Sequence, residues 1–194
     1  KKLEEKIKEF NLNKKINGII VQLPLPKHLD SNSAINAIDP RKDADGIHPI
    51  NIGKLAKGDW SCAPATPSGI IYLLEKNKIQ IEGKHAVVLG RSNIVGKPIA
   101  LMLIQKNATV TVCHSKTKNI SQYTKQADIL VAAVGKPKFI THEMVKPGAI
   151  VIDVGITRSP DSKLVGDVDF DSVKEKAGWI TPVPGGVGPM TIAM

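Results

Sequence analysis

Aromatic residues make up only 4% of this chain, and there are two cysteines, Cys62 and Cys113, in 194 residues. Two distant cysteines do not make a disulfide framework, so a reducing cytoplasm or an equivalent organelle compartment is expected. No apolar run approaches the roughly 20 residues that cross a membrane, and the lysine-rich start lacks the apolar core of a signal peptide. The five histidines show no paired metal-ligand spacing, so no zinc site is expected. The net charge of +9 raises the question of nucleic acid, but few rings are available to stack on bases. A basic RNA-binding protein stays open as an alternative; no nucleic-acid or membrane partner is expected. The 42% hydrophobic and 23% charged content fits a globular chain of one large or two small domains.

The most informative stretch is Val87 to Pro98, in which an apolar run ends at Gly90 and a polar turn of Arg91, Ser92 and Asn93 leads to Gly96, Lys97 and Pro98. A strand, a tight turn and a helix start in that order can lay a phosphate on free backbone N–H groups. It is no P-loop, because five residues separate the glycines and Pro98 stands where a magnesium-binding hydroxyl is needed. These residues alone leave an ordinary βα turn equally open. No Asp or Glu lies between Gly90 and Asp128, and Thr109 to Cys113 runs into His114, Ser115 and Lys116. Without an acid for the ribose hydroxyls, and with Arg91 and Ser115 as donors, NADP is favoured over NAD.

Helices are expected over 1–11, 30–38, 66–78, 95–106, 120–126 and 169–177, with one turn at 142–145 and a helical turn near Ile52. Strands are expected over 18–22, 85–90, 108–113, 128–134 and 149–154, with an edge strand at 164–168 and an extended 178–182. Apolar strands alternating with helices after Gly83 mean a parallel sheet, with ligands beyond the strand C-termini. Several of those ends are glycine-bearing, among them Gly135 and Gly155.

Asp39 to Gly46 has the look of a calcium loop, but Arg41 and Ile52 would stand at its first and last ligand positions, which excludes an EF-hand. By residue type Asp43 and Asp45 read first as turn caps. The other reading is a carboxylate pairing with an amidine-like edge, such as a pterin offers, through two parallel N–H bonds.

Five motifs occur together and in order: Gln22 to Pro26, Lys42 to Gly46, Pro64 to Gly69, Gly90 to Pro98, and Pro184 to Thr191. In this the chain resembles the methylenetetrahydrofolate dehydrogenase / methenyltetrahydrofolate cyclohydrolase family over essentially its whole length. The resemblance implies an α/β protein: residues 1–65 as the later part of a folate-binding catalytic domain, and 66–194 as a Rossmann-like NADP domain with the start of a returning helix, the active site lying in the cleft between them. It implies NADP-dependent oxidation of methylene-tetrahydrofolate, hydrolysis of the methenyl product to formyl-tetrahydrofolate, and a role in one-carbon metabolism and purine biosynthesis. Tetrahydrofolate derivatives, polyglutamylated ones included, are the implied partners, with a homodimer.

Residue by residue, the resemblance assigns Gln22 to the assistance of a catalytic lysine and Asp45 to the pterin. Arg91 and Ser115 fall at the 2′-phosphate. Thr66, Gly90, Ser92, Gly96, His114, Gly135, Ile156 and Thr191 fall at the cofactor, and Pro184, Gly185 and Gly186 at the folate. The family's Tyr-x-x-x-Lys motif would precede Lys1. With Lys at position 1 and a helix just begun at Pro189, the chain is expected to be part of a longer protein. Ala65 and Ala44 replace a more usual cysteine and valine. Another NADP-dependent two-domain dehydrogenase stays open as an alternative.

Overall fold

The computed structural model describes residues 2–159 and 161–194. Lys1, the first residue of the expected N-terminal helix, lies outside them. The chain divides into two units, Lys1–Pro64 and Ala65–Met194.

In the first unit, α1 (Lys2–Leu12) carries Leu3, Ile7 and Phe10 at helical spacing. Ile7 is buried with Ile19, Val21, Ala34 and Ile38, so one apolar stripe makes this small core. The helix ends under an ammonium: Lys42 Nζ donates to the carbonyls of Phe10, Asn11 and Asn13 at 3.0, 2.7 and 2.9 Å. Asp30 caps α2 (Ser31–Asn36), accepting from the N–H groups of Asn32 and Ser33. The turn expected near Ile52 is a full helix, α3 (Pro49–Ala56), in which His48 Nδ1 accepts from Ile50 N–H and Pro49 fills the first turn. The expected strand 18–22 is not a ladder. Ile19 makes a single parallel bridge to Asp43, through Ile19 N–H to Lys42 O and Ala44 N–H to Ile19 O. Its partner segment turns away at Gly46, where φ is +67°, and Pro24 and Pro26 have no N–H to extend the pairing.

The second unit opens with α4 (Ala65–Lys76). It continues through β1 (His85–Leu89), α5 (Gly96–Gln105), β2 (Thr109–Cys113), α6 (Ile120–Thr124), β3 (Ile129–Ala132), a short 3₁₀ turn at His142–Met144 and β4 (Ile150–Asp153). Then come β5 (Thr157–Arg158), β6 (Leu164–Val165), α7 (Phe170–Val173), β7 (Trp179–Ile180) and α8 (Val187–Ala193). The parallel sheet has the order β2-β1-β3-β4-β7. Every residue of β3 is buried, as both faces of a covered parallel sheet require. The order reverses between β1 and β3, which is where such sheets open a crevice for ligands.

The expected edge strand at 164–168 does not join this sheet. β6 pairs antiparallel with β5 for two residues, and the chain then turns inward to bury Asp167. Asp167 accepts three successive loop amides: Val134 and Gly135 N–H on Oδ2 at 2.6 and 2.9 Å, and Lys136 N–H on Oδ1 at 2.8 Å. Asp153, at the end of β4, accepts from Gly155 and Asp167 N–H on Oδ1, both at 2.9 Å, and from Val168 N–H on Oδ2 at 3.0 Å. Gly166 is required beside it, since a Cβ there would lie 1.9 Å from Asp153 Oδ2.

Burial pushes the Asp153 carboxyl up to about 6, against the pull of its N–H partners. A folded pKa above the ordinary 3.8 means that the folded state binds the proton more tightly. The stabilisation from protonation is therefore full below about pH 4 and fades as pH rises through about 6. Relative to Asp153→Asn, which cannot titrate, the parent should lose roughly 3 kcal/mol of unfolding free energy between those limits, as read by denaturant titrations across pH. Parallel profiles would remove Asp153 as the titrating group. Separately, Gly53 in α3 is exposed and has open space where a Cβ would stand. Gly53→Ala should raise stability by about 0.5–1 kcal/mol in the same titration.

Candidate active site

The turn after β1 is shaped by two close approaches. Gly90, at φ +112°, would place a Cβ 2.1 Å from Ala133 O, and a Cβ on Gly96 would lie 2.3 Å from Gly90 O. Only glycine lets β1, its turn and α5 lie this close to the end of β3. Ser92 does not face the adjoining cavity. Its Oγ accepts from Val95 and Gly96 N–H at 3.1 and 3.2 Å, so it closes the turn that leads into α5.

A cavity of about 240 Å³ opens at the C-terminal ends of β1, β2 and β3. Gly90, Arg91, His114 and Ser115 line it, together with Lys136, Phe139, Ile120 and Val134. It holds cationic and hydroxyl side chains and no carboxylate among its lining residues. Of the predicted cofactor residues, Gly90, Arg91, His114 and Ser115 thus meet in one place. Gly135 is beside the cavity rather than in its lining, with its N–H turned to Asp167. Lys136 and Phe139 were not singled out from sequence; the only signal was a glycine-bearing strand end at Gly135-Lys136-Pro137.

A second cavity of about 320 Å³ gathers Ile156, Pro184, Gly185 and Gly186 with the buried Asp153. Gly186 is held against Pro182 O, 2.5 Å from where a Cβ would be, and Gly185 has φ +102°. Thr66 and Thr191 join α4 to α8 by a hydroxyl–hydroxyl bond of 2.8 Å. Below it a Cβ on Gly69 would lie 2.8 Å from Met190 Cβ.

In the first unit the Lys42-Asp43-Ala44-Asp45-Gly46 motif separates into distinct tasks. Lys42 closes α1. Asp43 is buried, and its Oδ2 accepts from His48 N–H and Asn51 Nδ2, both at 2.8 Å. A Cβ at Gly46 would lie 2.7 Å from the backbone of Cys62 to Pro64. Asp45 alone is left over: half-buried, its carboxylate accepts no hydrogen bond from any described residue. Burial first, then the charge of Asp43, raises its pKa. Gln22 is exposed, with Nε2 donating to Leu23 O at 3.2 Å. The parallel bridge of Ile19 to Asp43 sends Gln22 and Asp45 toward the same end of their paired segments. Among the described residues there is no cluster of three or more His, Cys, Asp or Glu that could hold a metal ion, and no helix long and apolar enough to cross a membrane.

The chain matches known proteins over nearly its whole length. The family profile described as tetrahydrofolate dehydrogenase/cyclohydrolase, NAD(P)-binding domain, matches residues 64–194, and that of the catalytic domain matches 1–45. A bifunctional protein FolD of Nitrosospira multiformis is 61% identical over 189 residues, covering 97% of this chain and 66% of its own. The crystal structure of the bifunctional FolD enzyme from Campylobacter jejuni superposes with a TM-score of 0.97 at 51% identity, covering 99% of this chain and 68% of that one. The Trypanosoma brucei enzyme, solved with NADP cofactor and inhibitor, gives 0.93 at 42% identity, covering 99% and 68%. The chain spans about two thirds of the length of the relatives it matches. On these matches the chain belongs to the tetrahydrofolate dehydrogenase/cyclohydrolase family.

Proposed function

We propose that this chain carries the NADP-binding domain, and part of the folate-binding domain, of an enzyme that oxidises methylene-tetrahydrofolate to methenyl-tetrahydrofolate and hydrolyses that product to formyl-tetrahydrofolate. The observation that carries the reading is the cavity at the β1–β3 reversal, lined by Arg91, His114, Ser115 and Lys136 without a carboxylate. Its residues fit NADP: glycines allow close backbone approach at Gly90 and Gly96, and the donors suit a phosphorylated ribose. When bound, the dinucleotide supplies the hydride acceptor; the protein supplies alignment.

Arg91 and Ser115 hold the 2′-phosphate. The second cavity, with Ile156 and the Pro184-Gly185-Gly186 turn, takes the reacting end of the ligands. Asp45 holds the pterin, because its free carboxylate can accept two parallel N–H bonds from an amidine edge. Gln22 positions the amine that moves protons in the hydrolytic step, polarising it without adding charge. The enzyme works in the cytoplasm as a homodimer, and its formyl product is a one-carbon donor for purine synthesis.

The direct test is methylene-tetrahydrofolate-dependent reduction of NADP, with methenyl hydrolysis assayed separately. Absence of both activities from the complete enzyme would sink the reading. Arg91→Ala should weaken NADP binding by roughly 1.5–3 kcal/mol, the scale of hydrogen bonds to a charged group, and leave NAD binding nearly unchanged. Equal losses for the two cofactors, measured by calorimetry, would remove the phosphate role. Asp45→Asn puts an N–H donor where an acceptor is needed, so folate binding should fall while NADP binding persists. Unaltered folate affinity in the folded variant would reduce Asp45 to a turn residue.

A further inference from the structure

A ribose 2′-phosphate carries about −1.5 to −2 charges near neutral pH, more than one guanidinium balances. Ser115 adds a donor but no charge. The other cations near the turn are placed elsewhere. Lys97 Nζ donates to Asn93 Oδ1 at 2.8 Å, and Lys116 does not line the cavity. Lys136 does line it.

The position of Lys136 is built from below. Its N–H is held by Asp167, along with those of Val134 and Gly135, and Asp167 N–H is held in turn by Asp153. These bonds anchor the start of the loop after β3. At the other end of the side chain, Nζ lies 5.6 Å from the centroid of the Phe139 ring, which lines the same cavity. A ring face attracts an ammonium without consuming its N–H donors. Lys136 forms no ion pair with any described residue.

We infer that Lys136 is a second cation for the 2′-phosphate, sharing it with Arg91 across the cavity and so setting the preference for NADP over NAD. This rests on the dinucleotide reading of the cavity. Lys136 is exposed, so its replacement leaves the core intact.

Equilibrium binding of adenosine 2′,5′-bisphosphate and of adenosine 5′-monophosphate separates the possibilities, because the probes differ only in the 2′-phosphate. The ratio of their affinities should fall about tenfold in Lys136→Gln, at the lower end of what loss of a hydrogen bond to a charged group gives. In Lys136→Arg it should stay within about threefold of the parent. The double variant with Arg91→Gln should lose more than either single variant. An unchanged ratio in Lys136→Gln, or equal weakening of both probes, overturns the role of Lys136. A parent that binds both probes equally overturns the 2′-phosphate site and this inference with it, while a nucleotide cavity survives. A parent that binds neither overturns the dinucleotide reading as well.

Discussion

Two buried carboxylates hold the C-terminal edge of the sheet together. Asp167 gathers three consecutive amides of the loop after β3, and Asp153 gathers the amides that follow β4 and precede α7. Six backbone donors that β3, β4 and the incoming chain cannot satisfy by strand pairing find acceptors there. The three that bond Asp153 are buried and, unpaired, would each carry the desolvation penalty of a buried polar group. Asp153 also lines the second cavity, and Asp167 anchors the loop that lines the first. The same contacts thus fix both sites to one rigid edge.

Backbone proximity is the second constraint. Gly90, Gly96 and Gly166 stand where a Cβ would fall within 2.3 Å of a neighbouring atom. These positions are closed to other residues for steric reasons, and the space gained lets strands, turn and helix converge. The first unit follows a related logic on a smaller scale. Lys42, Asp43 and Gly46 are occupied in holding helix ends and loops, and Asp45 is left without a hydrogen-bond partner among the described residues.

Much of this was legible in the chain. The alternation of apolar strands and helices after Gly83 marks a parallel sheet, and β1, β2, β3 and β4 lie within a residue or two of their expected limits. Glycines around Arg91 and the missing acids before Asp128 point to the first cavity. Segments 18–22 and 164–168 were misjudged for one reason. Each has the β-branched, apolar look of a strand, but pairing depends on a neighbour that no local pattern reveals. α3 was underestimated because its N-terminal signals, His48 and Pro49, stand inside a polar, aspartate-rich stretch.

The sequence by itself determined the class of the fold, the place of the phosphate-type turn and the residue types around it, since these follow from periodicity, glycine and charge read along one line. Tertiary structure alone decided which side chains face the first cavity. Ser92 turns to the start of α5, Gly135 turns its N–H to Asp167, and Lys136 comes to the cavity on the ring of Phe139. The physical reason is that hydrogen-bond acceptors such as Asp153 and Asp167 act across folded distances. Their partners are 14 to 33 residues away, apart from the local bond to Gly155. Only the packed sheet brings them into reach.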